Sequence, residues 1–262
     1  MVSSLKEVLH SVESNIFTEI YTLAEKISYI NTQNCHGETA LIMAAASGNT
    51  ALVGELLRNG SKLNHQDNAG RTALHWAAEK GWLEITRLLT DNRSNVNIPD
   101  KSHKTPLILA AENSRVEIVE HLLTIAELKI DHRDHGGNTA LHWAVSAGSI
   151  PVAELLIQHK AQINIQNNFG STPLSWAAKN GDTEMIRLLL EQKADLTICD
   201  NFNRNALMRA VEHGYRRTAE ILLSHFNIAL PDLRQQAHQA GNFAELNGRS
   251  ELAALIREKV KA

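Results

Sequence analysis

Thr72-Ala73-Leu74-His75-Trp76-Ala77-Ala78 has a counterpart 33 residues upstream, Thr39-Ala40-Leu41-Ile42-Met43-Ala44-Ala45, and another 33 downstream, Thr105-Pro106-Leu107-Ile108-Leu109-Ala110-Ala111. Thr139-Ala140-Leu141-His142-Trp143-Ala144-Val145, Thr172-Pro173-Leu174-Ser175-Trp176-Ala177-Ala178 and Asn205-Ala206-Leu207-Met208-Arg209-Ala210-Val211 continue the series at steps of 34, 33 and 33. Gly48, Gly81, Gly148, Gly181 and Gly214 fall nine residues after the opening Thr or Asn, and Ser114 takes that place in copy three. Asn31, Asn64, Asn97, Asp131, Asn164 and Thr197 keep the same spacing. Three markers in one register define a tandem repeat of six copies.

Each copy has a physical reading. Thr caps a helix by accepting from exposed amides, Pro106 and Pro173 suit the first helical position, and paired alanines let helices approach closely. The glycine nine residues on ends this short helix A in the left-handed conformation. Runs such as Met185-Ile186-Arg187-Leu188-Leu189-Leu190 then return as an amphipathic helix B. Segments such as Asn164 to Gly170, rich in Asn, Asp and Gly, link one copy to the next as protruding fingers.

The composition, with 43% hydrophobic residues, 14 Gly and 5 Pro among 262, is that of an ordinary folded chain. Twenty-six Lys and Arg against 29 Asp and Glu give a net charge of −3, so no global attraction for nucleic acid or anionic lipid arises. The longest apolar runs, such as Ala40 to Ala46, reach about a third of what a bilayer needs. Lys6, Glu7 and His10 stand where a secretory signal would be apolar. Cys35 and Cys199 lie five copies apart, beyond the reach of a disulfide, which points to a reducing, cytoplasmic setting.

The period, with its T-P-L-H-x-A string, one turn and two helices, resembles the ankyrin repeat family. The resemblance implies an all-α fold: an ankyrin-repeat solenoid of stacked helix-turn-helix units with protruding β-hairpin fingers. Its expected organisation is an N-terminal capping repeat at 1–31 and six repeats over 32–230 (about 34–66, 67–99, 100–133, 134–166, 167–199 and 200–230). A C-terminal helical cap follows at 231–262. Ser3 to Val12 and Ile16 to Lys26 would be the helices of the first cap. Beyond Pro231 two helical stretches recur, but neither Gly241 nor Gly248 keeps the register.

The chain therefore reads as a noncatalytic protein-interaction module, scaffold or inhibitor, monomeric and without cofactor or metal. Its partner would be another protein, held on the concave face of fingers and helices A that the resemblance implies. Finger positions Arg71, Lys101, Lys104, Arg133 and Arg204 form a cationic ridge, joined by His135 and Asn138. Phe169 and Phe202, one period apart, would be aromatic anchors on neighbouring finger tips. Lys80, Glu112, Lys179 and Glu212, at the ends of helices A, supply a palm of mixed charge. Arg209 stands where other copies carry Met, Trp or Leu, and would either loosen an interface or reach a partner.

Other readings weigh less. His75 and His142 read as bonding neighbouring backbone to hold units in register, and Trp76, Trp143 and Trp176 as packing between repeats. Asp131-His132-Arg133-Asp134-His135 makes a poor tetrahedral ligand set, and no phosphate loop or nucleophile constellation is present. Two alternatives stay open: a nucleotide- or nucleic-acid-binding ankyrin domain, and a secreted bacterial effector that engages a host protein after delivery into the cell. The resemblance further implies that Asn64, Asn97 and Asn164 can be hydroxylated. His103, replacing the finger glycine, predicts a reshaped finger, and the extra residue near Ile125 to Lys129 a local kink.

Overall fold

The computed structural model of the chain describes residues 30–225 and 231–261. The helices expected for the N-terminal cap lie outside the described residues. The chain divides into two compact units, one ending at Lys129 and the other beginning at Ile130.

In the first unit, helices α1 (Ala40–Ala46), α2 (Thr50–Arg58), α3 (Ala73–Lys80), α4 (Leu83–Asp91), α5 (Pro106–Glu112) and α6 (Val116–Leu123) alternate as short A and B helices. In the second, α7 (Ala140–Ser146), α8 (Ile150–Gln158), α9 (Pro173–Asn180), α10 (Thr183–Glu191), α11 (Ala206–His213) and α12 (Arg216–His225) repeat the arrangement. The pair α13 (Pro231–Leu246) and α14 (Ser250–Lys261) follows them. Within each unit every A helix packs on its own B helix and on the next A helix.

The sequence markers have the structural roles assigned to them. Thr39, Thr105 and Thr172 cap their helices through side-chain oxygens that accept from Ile42, Ile108 and Ser175 N–H. Gly81, Gly181 and Gly214 end α3, α9 and α11 in the left-handed conformation. Within each unit the alanine pairs are buried, and so are Leu41, Leu74 and Leu107 in the first unit and Leu141, Leu174 and Leu207 in the second. Each such leucine contributes roughly 2 kcal/mol of burial.

Successive copies are laced together by the third marker. Asn31, Asn64 and Asn97 each accept, through Oδ1, the main-chain N–H of Lys62, Asn95 and Lys129 in the first unit. Asp131 and Asn164 do the same for Gln162 and Asp195 in the second. The candidate hydroxylation residues Asn64, Asn97 and Asn164 are thus rungs of this ladder.

The fingers differ from the expectation in form. No strand forms among the described residues, because each finger closes on itself in one tight turn and meets its neighbour by one main-chain bond, too little for a ladder. Typical closures are Asp67 N to Arg71 O and Gly70 N to Asp67 O, both 2.9 Å. The finger at His103 is not reshaped: His103 adopts the glycine conformation (φ 60°) and keeps the closing bonds His103 N to Asp100 O and Asp100 N to Lys104 O.

The extra residue in copy three acts at the end of helix B. In four copies the helix closes through a left-handed residue, Gly60, Arg93, Lys160 or Lys193, with bonds such as Ser94 N to Leu89 O. In copy three the cap is Thr124, and the residue after it, Ile125, bonds its N–H to Leu122 O without turning left-handed. At the chain's other end, Gly248 ends α13 in the left-handed conformation as Gly214 ends α11. The added length of α13 extends toward its N-terminus, where helix replaces a finger.

Candidate partner-binding face

Each finger is organised by one acidic or amide side chain. Asp67 Oδ1 accepts Ala69 and Arg71 N–H at 2.8 Å, and Asp100, Asn167 and Asp200 hold their fingers in the same way. The second carboxylate oxygen faces helix A. Asp67 Oδ2 receives the indole N–H of Trp76 (3.1 Å), and Asp134 Oδ2 that of Trp143 (2.9 Å). In copy six Arg209 takes the tryptophan position and reaches Asp200 Oδ2 at 2.5 Å. Arg209 therefore strengthens the finger-to-helix joint instead of loosening it.

The finger cations are internally paired. Arg71 meets Glu79 at 2.5 Å and Lys104 meets Glu112 at 2.6 Å in the first unit, and Arg204 meets Glu212 at 3.0 Å in the second. Arg71 also lies over the Trp76 ring, with Lys80 near the same indole. Arg133 donates to the main-chain carbonyls of Gly137 and Gln166. The expected bare cationic ridge is corrected accordingly: Arg71, Lys104 and Arg204 each have a glutamate eight positions on, one turn past the middle of helix A, which cancels their charge locally. Lys101 and His135 remain exposed. Asn138 is not a surface contact at all, because it is buried, donates to Asp134 and accepts from Asn167.

His75 and His142 have the register role read from the sequence. His75 Nδ1 accepts Thr72 N–H (3.0 Å) and its Nε2–H donates to Lys104 O (3.2 Å), tying its helix start to the next finger. His142 repeats this with Thr139 and Ser171. Burial holds both imidazoles down to about 4, so they are neutral at physiological pH. The tryptophans pack between repeats: Trp176 meets His142 and Trp143 edge-on, with ring centres 5.4 and 6.0 Å apart.

Among the described residues no cluster of three metal-ligating side chains forms. Asp131 and Asp134, in the His- and Asp-rich segment, instead serve Gln162 N–H and the Asn138 and Trp143 donors. No described helix is long and apolar enough to cross a membrane.

On the fingers of the second unit two large aromatic side chains are exposed. Phe169 and Phe202 are 60% and 67% exposed, and Arg204 sits 4.7 Å from the centre of the Phe202 ring. Both phenylalanines line a groove of about 240 Å³ together with Trp176, Ser175 and Lys179. The two phenylalanines and Lys179 are brought together as one site. Sequence reasoning missed Asn167 and read Trp176 as packing alone; the significance of both shows only against the finger-to-helix bonds of the other copies.

The family model for ankyrin repeats (3 copies) matches residues 9–100, 41–134, 88–167 and 159–232. The solved structure of EF0377, an ankyrin repeat protein, is similar with a TM-score of 0.67 at 29% identity, covering 72% of this chain and 98% of that one. The ankyrin repeat domain of Bcl-3, a unique member of the IkappaB protein family, also gives 0.67, at 27% identity over 72% of this chain and 86% of its own. A search of curated proteins finds no match. The capped helix pairs, the 33-residue joints between them and family matches that together span residues 9–232 lead to one assignment: the chain belongs to the ankyrin repeat family.

Proposed function

We propose that this protein is a noncatalytic binding module that holds a protein partner on the finger face of its second unit. Ankyrin repeats are generally protein-interaction modules. The observation that carries the reading is the pair Phe169 and Phe202, one period apart, both largely exposed and both lining a groove. Exposed aromatics in register beside a groove have the character of interface anchors, since they bury large area at small entropic cost. As a scaffold or inhibitor the chain would act by occupying its partner's surface.

The internal ion pairs of Arg71, Lys104 and Arg204 weigh against the alternative of nucleic-acid binding. Phosphate contacts need cations that neutralise phosphates, and these already face carboxylates.

The test places a photo-crosslinking phenylalanine analogue at position 169 or 202, with position 154 on α8 as control, in lysate of the native cell. Discrete adducts from 169 and 202, absent from 154, are expected. The same adducts from all three positions would overturn the assignment of the face.

A further inference from the structure

Comparison of the copies shows what the groove lacks. Copies two, three and six each carry a cation at the base of the finger and a glutamate at the end of helix A, joined across the face. Copy five has Ser171 and Lys179 at those two positions, so the glutamate's place is taken by a cation. Copies two, four and six also have an aspartate whose Oδ2 accepts from helix A. Copy five has Asn167, whose Oδ1 is used by Phe169 and Ser171 N–H and whose Nδ2 donates to Asn138.

Both substitutions remove an acceptor from one place. Among the described residues, the Trp176 indole N–H has no hydrogen-bond acceptor and Lys179 has no ion-pair partner. Both groups line the groove together with Phe169 and Phe202. Arg209, at its edge, and Arg204 are engaged by Asp200 and Glu212, so three cations with Lys179 face two carboxylates.

We infer that the groove binds a peptide segment of the partner in which an Asp or Glu lies next to an aliphatic or aromatic residue. The carboxylate takes the place of the absent glutamate, accepting from Lys179 and the Trp176 N–H, and the apolar side chain lies between Phe169 and Phe202. Charge complementarity selects the carboxylate, because a neutral acceptor satisfies the indole but leaves the ammonium uncompensated. At about 240 Å³ the groove is smaller than the roughly 300–1,000 Å³ of small-molecule pockets, and its exposed aromatic rim suits a side chain presented from a larger surface.

This inference rests on the finger face of the second unit being a protein-binding surface, and the experiment separates the two. A random 12-residue peptide display library is selected on the full chain and on three variants: Lys179→Glu, Ser171→Arg/Lys179→Glu and Phe169→Ser/Phe202→Ser. The double variant at 171 and 179 restores the internal pair of the neighbouring copies. It is compatible with the local fold, since Lys104 and Arg204 occupy the position of Ser171 with the same finger bonds. The wild type is expected to enrich peptides with Asp or Glu beside an apolar residue, and Lys179→Glu to switch the preference to Lys or Arg. Ser171→Arg/Lys179→Glu should weaken the acidic peptides by about ten-fold or more. Peptides that need Phe169 and Phe202 but lack an acidic residue, or bind Lys179→Glu equally, would overturn the carboxylate and leave the binding face standing. Selection of no peptide that depends on either phenylalanine would overturn both.

Discussion

Arg209 and Asp200 form the same joint that Trp76 and Asp67 form four copies earlier, with a guanidinium in place of an indole N–H. The side chain of Asp200 is fully buried and Arg204 is its second cation, at 3.3 Å. A buried carboxylate that loses a donor leaves desolvated charge uncompensated. Arg209→Leu is therefore expected to cost about 2 kcal/mol in urea unfolding, and Arg209→Trp less than half of that, because the indole restores a donor. Equal losses in the two variants would show that Asp200 does not depend on this partner.

Much of this architecture was legible in the sequence because it is set by residue types with single local uses. A capping Thr or Asn, a helix-ending Gly in every copy but the third and a buried Leu, recurring at steps of 33 or 34 residues, announce helix pairs directly. The site was legible only in part. Phe169 and Phe202 stood out by their period, but the pairing of Arg71 with Glu79 and of Arg204 with Glu212 spans eight residues between finger and helix, a contact that no helical or strand period reveals. Asn138 looked like a surface polar residue and is buried by bonds to Asp134 and Asn167, the latter one copy away. His103 looked like a break in the pattern, yet its neighbours' bonds hold it in the left-handed conformation.

Acid should weaken the stack through its two histidine joints. Burial depresses His75 and His142 from 6.5 to about 4, so the unfolded chain binds protons that the folded chain refuses. Their contribution is fully present above pH 6.5 and is lost as the pH falls toward 4, about 3 kcal/mol each. His142→Ser has a precedent within the chain at Ser175, whose hydroxyl donates to Thr172 O. In that variant the loss of urea midpoint between about pH 7 and pH 5 should be smaller than in the wild type. An unchanged loss would mean that His142 is not a proton-linked joint.

Gly181 and Lys179 lie two residues apart and should respond very differently. Gly181 has φ +73°, and a side chain there would place its Cβ 2.8 Å from Tyr215 Cδ1. Gly181→Val combines left-handed strain in a β-branched residue with that overlap and is expected to cost about 2 kcal/mol or more, on the order of the larger single-site effects. Lys179→Ala, at an exposed position, should stay within about 0.5 kcal/mol. Thermal unfolding of both variants decides it, and equal melting temperatures would contradict the helix register.

The ends of the B helices give a prediction whose sign reverses from copy to copy. Arg93, Lys160 and Lys193 have φ of 66°, 70° and 65°, the position that Gly60 fills at 82°. A side chain in that region is strained, and glycine is not, so Lys160→Gly should stabilise by about 0.5–1 kcal/mol despite its greater freedom in the unfolded chain. In copy three the residue that follows the cap Thr124 is Ile125, which is not left-handed. There glycine relieves no strain and only adds freedom to the unfolded chain, so Ile125→Gly should destabilise by about 1 kcal/mol. Chemical unfolding of the two variants at neutral pH tests both signs together, and a shift in the same direction would show that the extra residue of copy three does not change how its helix ends.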